Sequence, residues 1–171
     1  RDVYKRQLWD LPTGDRVGDH VASPADSIRA AAFSPDGRFV VTGGNSGGLD
    51  LWDAATGQRR KVLERHVARI SSIRILSSNK ILTSGDDGRV QLHGEGGDRR
   101  ELLGPGGKDA YTAAAAPDGT ALAAGTQDGE LHLWDARGEP VGRWKAHPGG
   151  VYDLAFSPDG KRLLSGGADS T

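Results

Sequence analysis

His147, Ser165 and Asp169 are the ingredients of an acyl-transfer triad: a base, a hydroxyl nucleophile and a carboxylate to orient the base. Two features argue against that chemistry. Ser165 lies in "LLSGG", with no G-x-S-x-G elbow around its hydroxyl. The same residue types also occur upstream, as His66, Thr83 and Asp87. A hydrolase needs one such site, whereas a set that recurs and decays along the chain marks a structural device. Other chemical candidates are weaker. "GPGGKD" at Gly104 to Asp109 lacks the spacing and the following helix of a phosphate loop. "GDDG" at Gly85 to Gly88 lacks the alternating oxygen ligands of a calcium loop and reads as a hairpin turn. The five His residues form no helical pair or close cluster, and Cys is absent. No catalytic residue, cofactor, metal or disulfide is therefore expected.

The elements that position these residues are repeats. Trp-Asp occurs at Trp9-Asp10, Trp52-Asp53 and Trp134-Asp135, in steps of 43 and 82 residues. The missing member falls in "VQLHGEGG", where His93 stands in the slot of Trp. "FSPDGRFVVTGG" from Phe33, "AAPDGTALAAG" from Ala115 and "FSPDGKRLLSGG" from Phe156 keep the same period, with "ILSSNKILTSG" from Ile75 as a degenerate copy. Each period holds short apolar runs separated by turn residues. "IRAAAF" or "VYDLAF" reads as a strand, "SPDG" as a hairpin turn, and "RFVVTG" or "KRLLSG" as the returning strand. "QDG" then leads into "ELHLWD", which alternates with period two. "ARGEPVGRWK" supplies a further turn and a fourth strand. Nothing has the sustained 3.6-residue pattern of a helix.

On these residues the chain resembles the WD-repeat (Trp-Asp repeat) β-propeller family, in which each repeat of about 40–45 residues forms four strands. The resemblance runs from Leu8 to Thr171 and implies an all-β propeller fragment of four-stranded antiparallel blades. Three full blades are expected at about 24–64, 65–104 and 105–146, with half blades at 8–23 and 147–171. The two halves could pair into a four-bladed ring, but the sharp curvature favours a piece of a longer protein, whose open strand edges would promote self-association.

The resemblance also implies a polar network of His, Ser or Thr, Asp and Trp in each blade. His147, Ser165 and Asp169 fill it in the last blade; Asp128 and Trp134 remain in the one before, where Gly106 and Ala124 replace His and Ser. His66, Thr83 and Asp87 fill the next, with His93 for Trp; Thr42 and Trp52 remain in the first, with Ser46 in the Asp slot and its His absent or displaced to His20. Family members commonly bind other proteins on the narrower face around the central channel. Carried over by position, that face is Ser27, Arg29, Arg69, Ser71, Asp109, Tyr111, Gly150 and Tyr152 at the first strands, with Asn45, Asp86, Gln127 and Ala168 in the turns before the Asp slots. The Tyr and Arg residues are the types enriched in binding hot spots.

Length and charge fit this reading. A chain of 171 residues supports a substantial core, and 22 basic against 23 acidic residues favour neither a nucleic-acid nor a membrane-surface partner. "Arg59-Arg60-Lys61" and "Arg99-Arg100" lie on outer strands, where charge protects an edge. The expected function is a non-catalytic protein–protein interaction scaffold in the cytoplasm. The alternatives are a regulatory propeller region of a larger bacterial signalling kinase or ATPase, and, less favoured, a propeller enzyme or a periplasmic Tol-type propeller. The opening "DVYKRQ" resembles a translated sequencing adaptor, so residues 1–7 are read as a non-native prefix.

Overall fold

The computed structural model describes residues 6–21, 27–63, 65–94, 96, 98–105 and 107–169. Residues 1–5 of the expected prefix therefore lie outside it, while Gln7 falls on the first strand. Among the described residues all regular structure is strand, and no helix is long and apolar enough to cross a membrane. A leading pair, β1 (Arg6–Trp9) and β2 (Arg16–Val21), is followed by three four-stranded blades. Blade I holds β3 (Ile28–Phe33), β4 (Phe39–Gly44), β5 (Leu49–Asp53) and β6 (Arg59–Leu63). Blade II holds β7 (Ile70–Ile75), β8 (Ile81–Gly85), β9 (Val90–His93) and β10 (Arg99–Leu103). Blade III holds β11 (Ala110–Ala115), β12 (Ala121–Thr126), β13 (Glu130–Asp135) and β14 (Pro140–Lys145). A trailing pair, β15 (Val151–Phe156) and β16 (Leu163–Gly167), completes the order. Each strand pairs antiparallel with its sequence neighbour, so every sheet is a meander.

Local chemistry makes the hairpins. In the β3–β4 turn the Ser34 hydroxyl donates to Asp36 at 2.6 Å, and the amide of Phe39 donates back to the Ser34 Oγ at 3.0 Å. Ser157 and Asp159 repeat the first contact at 2.6 Å. The degenerate "SSNK" turn closes over one residue fewer, from the Leu76 amide to the Lys80 carbonyl at 2.8 Å, but Asn79 takes φ 60° where Gly37 takes 70°, the left-handed region that Asn tolerates better than most residues.

The core sits at the junctions between sheets. β4 and β8 are buried along their whole length, Thr42, Thr83 and Ser84 included. The fourth strands β10 and β14 are mostly exposed, β10 through Arg99, Arg100 and Glu101 and β14 through Val141 and Trp144 as well as its charged residues. One cluster joins Phe39, Val41 and Leu49 of blade I to Ile70, Ile73 and Ile81 of blade II. A second joins Leu82 and Leu92 of blade II to Leu122 and Trp134 of blade III. A third joins Ala123 and Leu131 of blade III to Val151 and Leu154 of the trailing pair. Each sheet thus buries its faces only against its neighbours, and stability resides in nearest-neighbour contacts.

Candidate functional site

Behind the candidate binding face lie the polar networks. In blade II, His66 Nδ1 stands 2.8 Å from Asp87 Oδ1, and its Nε2 stands 2.9 Å from the Thr83 hydroxyl. The Asp87 carboxylate also accepts the amides of Val67 at 3.0 Å and Arg89 at 3.1 Å. Thr83 reaches on to His93 Nε2 at 3.3 Å, so His93 occupies the role that Trp52 has in blade I, where the indole N–H donates to Thr42 at 2.8 Å. His20 falls on β2, and its side chain lies outside the described residues.

His147 does hold a triad-like geometry, with Nδ1 2.9 Å from Asp169 Oδ2 and Nε2 2.9 Å from the Ser165 hydroxyl. That geometry matches the clamp of His66, and its hydroxyl sits mid-strand on β16, paired with Leu154, not on an exposed elbow. Ser165→Ala is accordingly expected to lower stability by about 1 kcal/mol and to leave any ester hydrolysis by the chain unchanged. Urea melts and a nitrophenyl-ester assay on the same preparation check both halves.

Blade III solves the loss of its His differently. Gly106 lies outside the described residues, and Ala124 is buried without a hydroxyl. Asp128 instead accepts the Thr126 hydroxyl at 2.6 Å, which holds its carboxyl below the usual range. Thr126 occupies the place that Gly85 and Gly167 have in the His-bearing sheets, where a Cβ would lie 2.7 Å from His66 Nδ1 and 2.3 Å from His147 Nδ1. A side chain there and a His in the slot are therefore mutually exclusive. A cavity of about 370 Å³ opens where the imidazole is missing, lined by Thr126, Asp128, Glu130 and His132 with Leu103 and Lys108. The ion pair beside it is inverted between blades. Arg89 of blade II meets Glu101 at 3.2 Å, whereas Glu130 of blade III meets Arg143 at 2.7 Å.

The candidate binding residues gather through a backbone device. The first strand of every sheet from blade I onward shifts register at one residue: Arg29, Ser71, Tyr111 and Tyr152. Such a bulge inserts an extra residue and re-aims its side chain. The four bulged residues, with Arg69 and Ile70, line one depression of about 400 Å³. Beside each bulge the chain is pinned by one backbone hydrogen bond. Asn45 N donates to Ser27 O at 2.9 Å, Asp86 N to Arg69 O at 2.9 Å, Gln127 N to Asp109 O at 2.8 Å and Ala168 N to Gly150 O at 3.1 Å. Arg29 Nε donates to Asn45 Oδ1 at 3.1 Å. Arg69 pairs with Asp86 at 2.8 Å, and the Ser71 hydroxyl donates to the same carboxylate at 2.6 Å. Tyr111 and Tyr152 stack nearly parallel, with ring centroids 5.3 Å apart. Asn45, Asp86, Asp109 and Gln127 support the rim and do not line the depression. The repeat alone placed Ser71 beside Arg69, but not the bulge that makes Ser71 the inward residue.

The WD40 profile (WD domain, G-beta repeat) matches residues 17–53, 57–93, 100–135 and 138–171. The first match spans β2 to β5, so the sequence repeat runs one strand ahead of the blade and links neighbouring sheets. The chain is 30% identical over 162 residues to the WD repeat-containing protein SL1-17 of Schistosoma mansoni, covering 95% of this chain and 40% of that protein. It is 28% identical over 179 residues to WD repeat-containing protein 1 of Mus musculus, covering 98% of this chain and 29% of that protein. A periodic tryptophan protein 2 homologue of Dictyostelium discoideum is 26% identical over 152 residues, covering 85% of this chain and 16% of that protein. The chain thus spans less than half the length of these relatives. With four repeats matched in register along most of its length, this chain belongs to the WD40-repeat family.

Proposed function

We propose that the chain is a non-catalytic protein-interaction scaffold whose partner seats on the depression formed by the first strands. One observation carries the reading: four consecutive sheets each aim a bulged residue at one place, and the set includes Arg29, Tyr111 and Tyr152. A bulge costs regular pairing, and its repetition places large side chains on a common surface. Tyr and Arg contribute disproportionately to binding energy when desolvated at an interface. The networks behind the face act as its rigid support, because Asp87 and Asp169 each tie a turn to the entering strand through a His.

The test is partner capture by the chain carrying Arg29→Ala, Arg69→Ala, Tyr111→Ala and Tyr152→Ala together. Retention of a partner that binds the parent chain is expected to fall by more than tenfold, the equivalent of about 1.4 kcal/mol or more. Undiminished capture by a variant with an unchanged melting curve would place the binding surface elsewhere. The alternative, a regulatory propeller region of a larger signalling protein, differs in what flanks the array. Kinase or ATPase sequence beside these repeats would favour it, and further repeats alone would favour the scaffold.

A further inference from the structure

We infer that the depression takes a linear acidic peptide carrying an aromatic residue beside its carboxylates. This rests on the interaction face proposed above. The lining holds two guanidiniums and two phenols, and no carboxylate. The two arginines are not equivalent. Arg69 is braced by Asp86 at 2.8 Å, which fixes its guanidinium and offsets its charge. Arg29 is held through Nε by the neutral amide of Asn45 at 3.1 Å, so its position is set while its charge is not cancelled by that partner. An oriented guanidinium of this kind matches a carboxylate in two-pronged fashion, and a Lys or Arg side chain would be repelled.

The aromatic half is built just as specifically. A Cβ at Gly150 would lie 3.1 Å from Tyr111 Cε2 and 3.0 Å from Gln127 O, so the absent side chain lets the Tyr111 ring lie close. Tyr152 stacks on that ring with the planes 8° apart. Tyr152 remains 60% exposed, and its ring offers surface to a further planar side chain. Stacked Tyr beside Arg could also receive a single-stranded nucleic acid, but that ligand needs a basic groove along its backbone. Here one of the two cations is already paired, and the chain carries a net charge of −1. The peptide is the ligand these groups suit.

The probe is a short labelled peptide of mixed Asp and Glu with one central Phe, followed by fluorescence anisotropy with the 171-residue chain. Saturable binding is expected, weakened about tenfold by Arg29→Glu, by Tyr152→Ala, and by changing Phe to Ala in the peptide. Binding should also weaken as salt rises. Thermal melts verify that each variant is folded, and Arg29→Gln serves as the milder form. No saturable binding, tighter binding of a Lys-rich peptide, or tighter binding of oligo-uridylate would overturn the inference. If the four-residue Ala variant loses its partner while the acidic peptide fails to bind, the face stands and the acidic–aromatic chemistry falls. If the variant keeps its partner, the face itself falls.

Discussion

Gly129→Ala is expected to destabilise the chain by more than about 4 kcal/mol, a large fraction of the roughly 5–15 kcal/mol that holds an ordinary domain folded. Gly129 has φ +83°, and a Cβ there would lie 2.1 Å from the His147 carbonyl oxygen and 2.2 Å from that of Gly149. Both obstacles are backbone, so no rotamer change relieves them. The Gly129 carbonyl meanwhile accepts the amides of Ala146 at 2.9 Å and His147 at 3.2 Å, and these bonds join blade III to the trailing pair. Making room for a methyl separates that junction. Left-handed strain adds about 1–2 kcal/mol. Gly47 repeats the arrangement between blades I and II, with the His66 oxygen at 2.1 Å from the added Cβ. Gly88 is the contrasting case. Its nearest obstacle is the Lys108 oxygen at 3.2 Å, because the junction into blade III has no imidazole drawing the strand in. Gly37 has φ +70° and nothing within 4 Å, so Gly37→Ala reports the conformational cost alone, about 1–2 kcal/mol. Urea midpoints should therefore rank Gly129→Ala and Gly47→Ala as most damaging, then Gly88→Ala, then Gly37→Ala. Equal losses at Gly129 and Gly37 would show that the junction contact carries no weight.

That ranking shows where the sequence is legible and where it is not. The period near 41 residues exposed the strands, the turns and the sets around His66 and His147, because each depends on residue types that recur. His93 could be assigned to the Trp slot from its flanks alone, and it does meet Thr83. The bulges left no such trace. Arg29, Ser71, Tyr111 and Tyr152 share a backbone irregularity and no side-chain property, so period-two alternation cannot reveal which residue is the extra one. Thr126 was invisible for a related reason. Its role follows from the space left by a missing imidazole, and only the neighbouring sheets show that Gly85 and Gly167 must otherwise be bare. The stacking of Tyr111 on Tyr152 joins two sheets and depends on how one packs against the next. Periodicity predicts the elements and the residues at equivalent positions, such as Arg29, Arg69, Ser71, Tyr111 and Tyr152, whereas the way those side chains meet in one depression is set between elements.

His93→Trp is expected to remove much of the acid sensitivity of the fold. His93 is 2% exposed, and burial, assisted by the charges of His66 and Arg99, pushes its pKa down from 6.5 to about 4. The unfolded chain therefore binds a proton at pH 5 that the folded chain refuses. Stability contributed by neutral His93 is present above pH 6.5 and declines as the pH falls towards 4, levelling off below that. A gap of this size corresponds to about 3 kcal/mol. Asp87 acts in the same direction at lower pH. Burial works to raise its pKa, but the hydrogen bond and charge of His66, with the amides of Val67 and Arg89, hold it below the ordinary value. Its contribution is lost as the pH falls through that lowered value. The two effects separate by substitution. Trp at 93 has no titration in this range, and Trp52 shows that an indole at the equivalent strand position can donate to the Thr hydroxyl opposite. Urea unfolding of both chains between pH 7 and pH 4 should show the steeper loss in the parent, by roughly 2–3 kcal/mol. The residual slope in His93→Trp then belongs to the carboxylates and to His132, whose pKa burial also pushes down. Parallel stability curves across this interval would mean that the Thr83-bridged imidazole pair accommodates the added proton without weakening the fold.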